Sequence, residues 1–599
     1  MRFVWAVAAF VLAAVMIATG IAQRTIFQGP KTESTTISAP SGTSYTMIDG
    51  AVLNRLPGTQ TLRVAQPGSV FAAYGRTDDV KAWLADTAYT AVTLDHGKVV
   101  TATVPPQPTD AGATTADPAH RNPAGSDLWL DEFHEQDILI EHLQLPSTMS
   151  VLLATDGTAP APADVSVTWP VRSTTPWAGP LIVGGAVVMA VGVFLYILGI
   201  RRLRRSRGPR RRALPPLPET EPIDLAVEQA DKGVISASPS RRDRSTRRRL
   251  VAVLPALALS TMLFAGCSAD AWPQWGSSPS PTPSETVVDP GTAQTPAVTA
   301  SQADRIVGRI ATTVATADEK KDAKLAATRL DGAALAERRT NYTLRAKLKD
   351  EAALPPLPAT GLKVVLPQAY DGWPRTVMVV AEQKGTDATT STVMMMSQVD
   401  AWSEYKVDYV AQLDATTLPD VAPTYVGAAA VQPDSSFLVM APDKIAAAYA
   451  DIIDKGDKSA SAGAFAVADD PFVKGVADKR KEQQAEFAKT AKKTGRLTFA
   501  AVAGSAAPVA LATLESGAVV AVNVNETETV KPTNKDAVIK LTNNPRVAAL
   551  TGVKESQTGF TTTYSDQLFF YVPGVGAGDA QIRLLGYSSN ILGAKVVSK

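Results

Sequence analysis

The sequence predicts a multi-domain membrane protein. Two transmembrane helices flank an all-β, sandwich-like domain, and a third short apolar helix leads into an α+β region of two curved-sheet subdomains. Three observations point there. Residues 3–22 and 181–200 are uncharged apolar runs of 20 residues each, the length that spans a bilayer as a helix. Between them, β-branched runs alternate with Gly, Pro and Asp turn residues. Beyond about residue 300 the apolar spacing becomes helical and mixes with strand-like runs.

The first run places residues 1–23 as a transmembrane helix or signal anchor. Gly20 and Ala22 also suit a cleavable export signal, although its apolar core would be unusually long. The second run makes 177–200 a transmembrane helix, with Trp177 and Tyr196 near its ends, where amphipathic rings favour the interface. Arg201, Arg202, Arg204, Arg205, Arg207, Arg210, Arg211 and Arg212 follow it directly. Arg241, Arg242, Arg244, Arg247, Arg248 and Arg249 close the same loop. With 15 basic and 6 acidic residues, 201–249 carries +9 while the rest of the chain carries −8. The positive-inside rule assigns that loop to the cytoplasm and leaves 24–176 and 268–599 extracytoplasmic. The loop lacks apolar periodicity and reads as disordered. Its arginines lack interleaved aromatics and adjoin apolar segments, so membrane lipids rather than nucleic acid are the expected partner.

In 250–267, three arginines precede a 16-residue apolar run, and Gly266 then precedes Cys267, the only cysteine. As a helix the run reaches roughly 24 Å, short of the ~30 Å hydrocarbon core. Leu263, Phe264, Ala265, Gly266 and Cys267 resemble the bacterial lipobox, with Phe264 where leucine is usual. That resemblance implies diacylglycerol transfer to the Cys267 thiol and cleavage before it. The competing reading is a free cysteine ending a third transmembrane helix. A single cysteine excludes an intramolecular disulfide framework and any multi-cysteine metal site.

Along the chain, 24–176 is expected to hold strands at 35–39, 61–65, 89–104, 127–133, 138–143, 149–154 and 165–169, with one helical stretch at 80–85. Residues 105–125 form a polar insertion. After Cys267, the Pro, Ser and Thr of 268–299 make an extended tether. Two α+β subdomains follow, at 300–455 and 470–599. In the first, Ile306, Ile310 and Val314 mark one helix and Leu325, Leu330 and Leu335 another. Strands are expected at 376–383, 392–399, 405–413 and 437–441. Helices at 442–453 and 471–493 lie on either side of the break near 455–470 and lead to strands at 497–502, 509–514, 518–530, 568–572 and 581–587. This element order is similar to tandem cystatin-like or nuclear-transport-factor-like cones. The whole layout resembles uncharacterised actinobacterial cell-envelope proteins with a lipoprotein-like second half. Neither resemblance supplies catalytic residues.

The chemical signals are sparse. His96, His120, His134 and His142 all fall in the first domain; His134 and His142 are eight residues apart, without a metal-ligand spacing. Gly574, Gly576 and Gly578 form a glycine-rich run that a strand pattern follows, so a turn is expected rather than a phosphate loop. Met394, Met395 and Met396 suit core packing, with an adaptable groove as the alternative. Trp402, Tyr405 and Tyr409 suit packing at a sheet rim, with sugar or lipid stacking as the alternative. No nucleophile elbow or paired carboxylates stand out. No catalytic, cofactor-binding or metal site is assigned, and Cys267 is the one candidate modification site. The reading is a non-catalytic envelope accessory or scaffold protein with an envelope protein partner. The alternative is a carrier that holds a lipid or glycan in a concave sheet, and behind it a carboxylate-dependent hydrolase or isomerase.

Overall fold

The computed structural model describes residues 2–27, 29–38, 42–107, 121–171, 175–206, 296–384, 389–414, 418–491, 493–578 and 580–598. Cys267, the segment 250–267 and most of the loop and tether on either side of it lie outside these residues, as does His120.

Helix α1 (Arg2–Thr25) precedes strands β1 (Thr32–Ser38) and β2 (Tyr45–Ile48), the single turn α2 (Gly50–Leu53), β3 (Gln60–Arg76) and α3 (Thr77–Trp83). Strands β4 (Tyr89–Asp95), β5 (Lys98–Val104), β6 (Asp131–Leu143), β7 (Met149–Ala154) and β8 (Asp164–Pro170) lead to helix α4 (Ala178–Ser206). The chain divides into two compact units, Met1–Glu33 with Trp169–Val287, and Ser34–Thr168 with Val288–Lys599.

In the first unit, α1 and α4 are both long and apolar enough to cross a membrane. They run antiparallel, with Gly20 beside Ala178 and Ile182, and Phe3 beside Gly199. Gly185, Gly192 and Gly199 recur every seventh residue of α4 and receive α1. A side chain at Gly185 would meet Ile17 at 2.6 Å, and one at Gly192 would meet the Phe10 ring at 3.1 Å. Glycine at these points lets the two backbones approach closely.

In the second unit, strands β1 to β8 join one eight-stranded sheet in the order β1-β8-β3-β7-β2-β4-β5, with β6 also on β3. The expected sandwich is therefore replaced by a single connected sheet, mixed because β2 runs parallel to β4. The reason lies in β3. Its first half pairs with β8, its second half with β7, and β6 follows it throughout except at a register break between Ala65 and Ser69. At the break Gly68 has φ 96° and Asp137 φ 66°, and Asp137 Oδ1 accepts the Gly68 N–H at 2.9 Å. One bent strand thus serves two sets of partners, which local alternation cannot distinguish from two sheets. The expected single run at 89–104 is a hairpin, because His96 (φ 44°) and Gly97 (φ 78°) form a tight turn between Asp95 and Lys98. Trp83, Trp129, Tyr45 and Phe71 centre the core of this part.

The remaining chain forms α5 (Ala300–Lys320), α6 (Ala323–Arg329), α7 (Gly332–Lys347), β9 (Leu362–Pro367), β10 (Arg375–Lys384), β11 (Thr389–Gln398) and β12 (Lys406–Leu413). Then come α8 (Pro442–Lys455), α9 (Pro471–Ala491), β13 (Gly495–Ala503), β14 (Val509–Ala512), β15 (Ala518–Pro532), β16 (Ile539–Lys540), α10 (Pro545–Thr551), β17 (Glu555–Ser556), β18 (Phe560–Val572) and β19 (Arg583–Val596). Thr299 opens α5 with a capping box to Gln302. The second helical stretch is broken between α6 and α7, where Asp331 caps α7. The expected strand at 437–441 is not formed: Leu438 makes a lone bridge to Gly574, and α8 begins at Pro442.

Helices followed by antiparallel strands do occur twice, but nine strands from the two halves lie in one sheet, and β16 and β17 pair separately. The seam is short, with Gln412 opposite Tyr587 and Leu413 opposite Gly586. Residues 456–469 lie inside the second half as 3₁₀ turns between α8 and α9. Alternation along the strands sorts side chains onto two faces. Val377, Val379, Met394 and Met396 pack with α5 to α7. In the second half, Val520, Val522, Leu568 and Phe570 pack with α8 and α9. The opposite faces share one inner layer, with Met378, Met395 and Tyr409 from the first half and Val519, Ala521 and Phe569 from the second.

Gly586 sits at the seam because the β12 backbone passes over it. A Cβ there would lie 2.4 Å from Gln412 O and 2.9 Å from Leu413 Cα. Gly586→Val should therefore destabilise the protein by about 1–3 kcal/mol, measured as a shift of its urea unfolding midpoint.

Candidate functional site

Two constellations concentrate polar groups in the interior of the second unit. The first joins the 34–168 sheet to the region beyond residue 296. Asp79, on the first turn of α3, is buried and accepts Arg375 Nη2 at 2.6 Å and Arg76 Nε at 2.8 Å. Arg375 opens β10 and is only 1% exposed; its guanidinium stacks over Trp373 at 3.9 Å. Asp127, in the loop before β6, accepts Arg329 Nη1 at 2.5 Å and the Tyr405 N–H at 2.9 Å. Arg309 approaches its other oxygen at 3.5 Å. The Tyr405 hydroxyl is fully buried near both ion pairs, and burial raises its pKa.

Around these pairs, donors from the later segment reach backbone carbonyls of the earlier one. Gln302 Nε2 donates to Leu128 O at 3.1 Å, Arg305 Nη2 to Trp129 O at 2.6 Å, and Trp402 Nε1 to Trp83 O at 2.9 Å. Arg309 also donates to Gly125 O. Arg121, paired with Asp86 at 2.7 Å, lies over both Trp83 and Trp402.

The second constellation lies under α7. Strand β18 turns Ser565 and Gln567 to one face and Asp566 to the other. On the first face Glu337 of α7 is buried and accepts Asn590 Nδ2 at 2.8 Å. Gln567 Oε1 accepts the Val410 N–H at 2.9 Å, and the Gln567 amide lies near the Glu337 carboxyl. Burial raises the Glu337 pKa to about 7, against the opposing pull of Gln567, Asn590 and Ser565. On the other face Asp566 is fully buried, and burial, reinforced by the Glu526 carboxylate, raises its pKa to about 8. Glu337 lines a cavity of about 70 Å³ with Arg338, Pro355, Pro356, Ser588 and Asn590, room for a few waters. Near neutral pH the Glu337 carboxyl can either donate or accept a hydrogen bond there.

The residues singled out in the sequence are placed as follows. Met394, Met395 and Met396 are buried and split between the two faces of the sheet. Tyr405 and Tyr409 are buried, while Trp402 meets the 34–168 segment. His134 and His142 lie on β6, the first edge-on to Phe71 and the second hydrogen-bonded to Thr61; His96 caps its hairpin in solvent. Among the described residues, no three His, Cys, Asp or Glu side chains come together to hold a metal. Gly574, Gly576 and Gly578 lie in the connection between β18 and β19. Asp79, Asp127, Arg329, Arg375, Glu337 and Asp566 were not anticipated. The available signal was charge inside apolar context, as where Asp566 and Gln567 directly precede Leu568, Phe569 and Phe570.

An antiparallel sheet covered by helices and docked to a bent mixed sheet is thus the class of structure that holds these groups. Residues 294–596 match a family described as a domain of unknown function, DUF8094. The match covers just over half of the chain, and the protein belongs to that family. No curated protein and no solved structure matches it.

Two outcomes are expected. Arg375→Ala should cost about 3–5 kcal/mol, because it leaves Asp79 buried with less compensation; denaturant unfolding of the purified protein measures it. The second concerns pH. The folded-state pKa values of Glu337 and Asp566 lie above their ordinary values of 4.5 and 3.8. Their stabilising contribution is therefore complete below about pH 4 and is lost as pH rises through about 7 and 8. A Glu337→Gln, Asp566→Asn double variant should flatten the decline between pH 5 and 7 by up to about 1.4 kcal/mol per pH unit for each group. An unchanged slope would show that these carboxyls do not set it.

Proposed function

We propose that this is a membrane-anchored accessory protein of the cell envelope, without a catalytic role, that presents one ectodomain assembled from residues 34–168 and 296–599. The observation that carries the reading is the buried set of contacts between Asp79 and Arg375 and between Asp127 and Arg329. Segments before and after α4 can form such contacts only on one side of a bilayer. If α4 crosses the membrane, the chain must return within 207–295. The apolar stretch 250–265, shorter as a helix than the hydrocarbon core, is the longest apolar run in that interval and the one we assign to the return. The arginines on both sides of 213–240 favour the cytoplasm for the loop and the outside for the ectodomain.

Cys267 then falls on the outer side, where the lipobox resemblance places diacylglycerol attachment and a second anchor in membrane lipids. The expected partner is an envelope protein held at the membrane surface. A carrier role for a lipid or glycan draws no support from the inner face of the sheet, which Met378, Met395, Tyr409 and Phe569 fill.

The test is protease accessibility in intact cells, with epitope tags in 34–168, in 213–240 and at the C-terminus. The reading expects the first and third tags to be reached and the second to be protected until the cells are lysed. A protected C-terminal tag beside an accessible first tag would sink it. Blotting the C-terminal tag in wild type and in Cys267→Ser tests lipoprotein processing separately. A shortened wild-type band that becomes full length in the variant is the expected result.

A further inference from the structure

We propose that the surface between residues 34–168 and 296–599 is a self-sufficient interface, so that a chain divided anywhere within 207–295 remains a two-part complex. The inference rests on the reading above in that both parts must share one compartment. Its chemistry is nearly one-directional. Gln302, Arg305, Arg309, Arg329, Arg375, Trp402 and the Tyr405 N–H all donate from the later part. The earlier part answers with the carboxylates of Asp79 and Asp127 and with carbonyls of the 125–129 loop and Trp83. Arg76 is the exception, donating to the carbonyls of Pro296 and Ala297.

This pattern has the anatomy of a protein–protein interface. An aromatic centre excludes water, and buried charges select the partner. Trp373, Ala401 and Trp402 of the later part pack on the cluster that holds Trp83 and Trp129. The charges sit at separate points, Arg375 at the start of β10 and Arg329 at the end of α6. A partner must therefore match two carboxylates and a row of carbonyls at once. The piece that fits is the other part of this same chain.

The experiment uses the full chain with a C-terminal tag and a protease recognition sequence inserted between Ser277 and Ser278. The protein is extracted in detergent, cut to completion and captured on the tag. The expected result is that the two-helix piece is captured together with the tagged piece. A two-helix piece that washes away overturns the proposal. Arg329→Glu with Arg375→Glu should lower co-capture at least roughly tenfold. Undiminished co-capture in that variant would overturn the assignment to this surface. Should that variant not fold, Arg305→Ala with Trp402→Ala alters only partly buried positions and is expected to weaken co-capture in the same direction. Because the cut is made in detergent, its outcome is independent of sidedness, and the two readings fail separately.

Discussion

Asp79 and Asp127 are carboxylates taken almost wholly out of water, and such groups are tolerated only where cations and N–H donors replace the lost hydration. In this protein part of that replacement comes from residues some two to three hundred positions away. Arg375 completes the shell of Asp79, and Arg329 with the Tyr405 N–H completes that of Asp127. The orientation of α3, the 121–130 loop, the start of β10 and the end of α6 all follow from meeting these demands together. Isolated buried ion pairs add little net stability, but losing one partner leaves the other charge buried and uncompensated, which penalises arrangements that do not bring both together. The aromatic packing of Trp83, Trp129 and Trp402 supplies the apolar contact that they orient.

A second constraint organises the region beyond residue 296. Each half-sheet has its own helical cover, yet neither could leave its inner face in water. Met378 and Met395 on one side and Val519 and Phe569 on the other solve the problem for each other. The polar groups under α7 lie beside the seam between the halves, where Gln567 ties β18 to β12 through the Val410 N–H. Glu337 is thus held by side chains from β18 and β19 at the point where the halves join.

Much of this was legible in the residues. The bilayer-length runs, the strand at Met149–Ala154 and the helices beginning at Pro442 and Pro471 carry strong local signals: unbroken apolarity, alternation, and proline in the first turn. The run 89–104 was read correctly as extended, but its hairpin turn is easily missed because histidine precedes the glycine. What could not be read is which strands pair. Element order fits two separate cones as well as one joined sheet, and only the register of Gln412 against Tyr587 decides between them. The bend in β3 likewise depends on Asp137, far along the chain from Gly68. Charged side chains such as Arg375 look like solvent-facing residues until their partner, 296 positions away, is known. Cys267 rests on local pattern alone and lies outside the described residues.

That separation also bears on time. Contacts between residues so distant in sequence form late, because the intervening chain must first be made and its ends brought together. Until Arg329, Arg375 and Trp402 arrive, the first sheet holds Asp79 with Arg76 alone as its cation, Asp127 without its cations, and an uncovered aromatic surface around Trp83. While it stays uncovered, that surface is open to proteolysis, and docking of the later segment closes it.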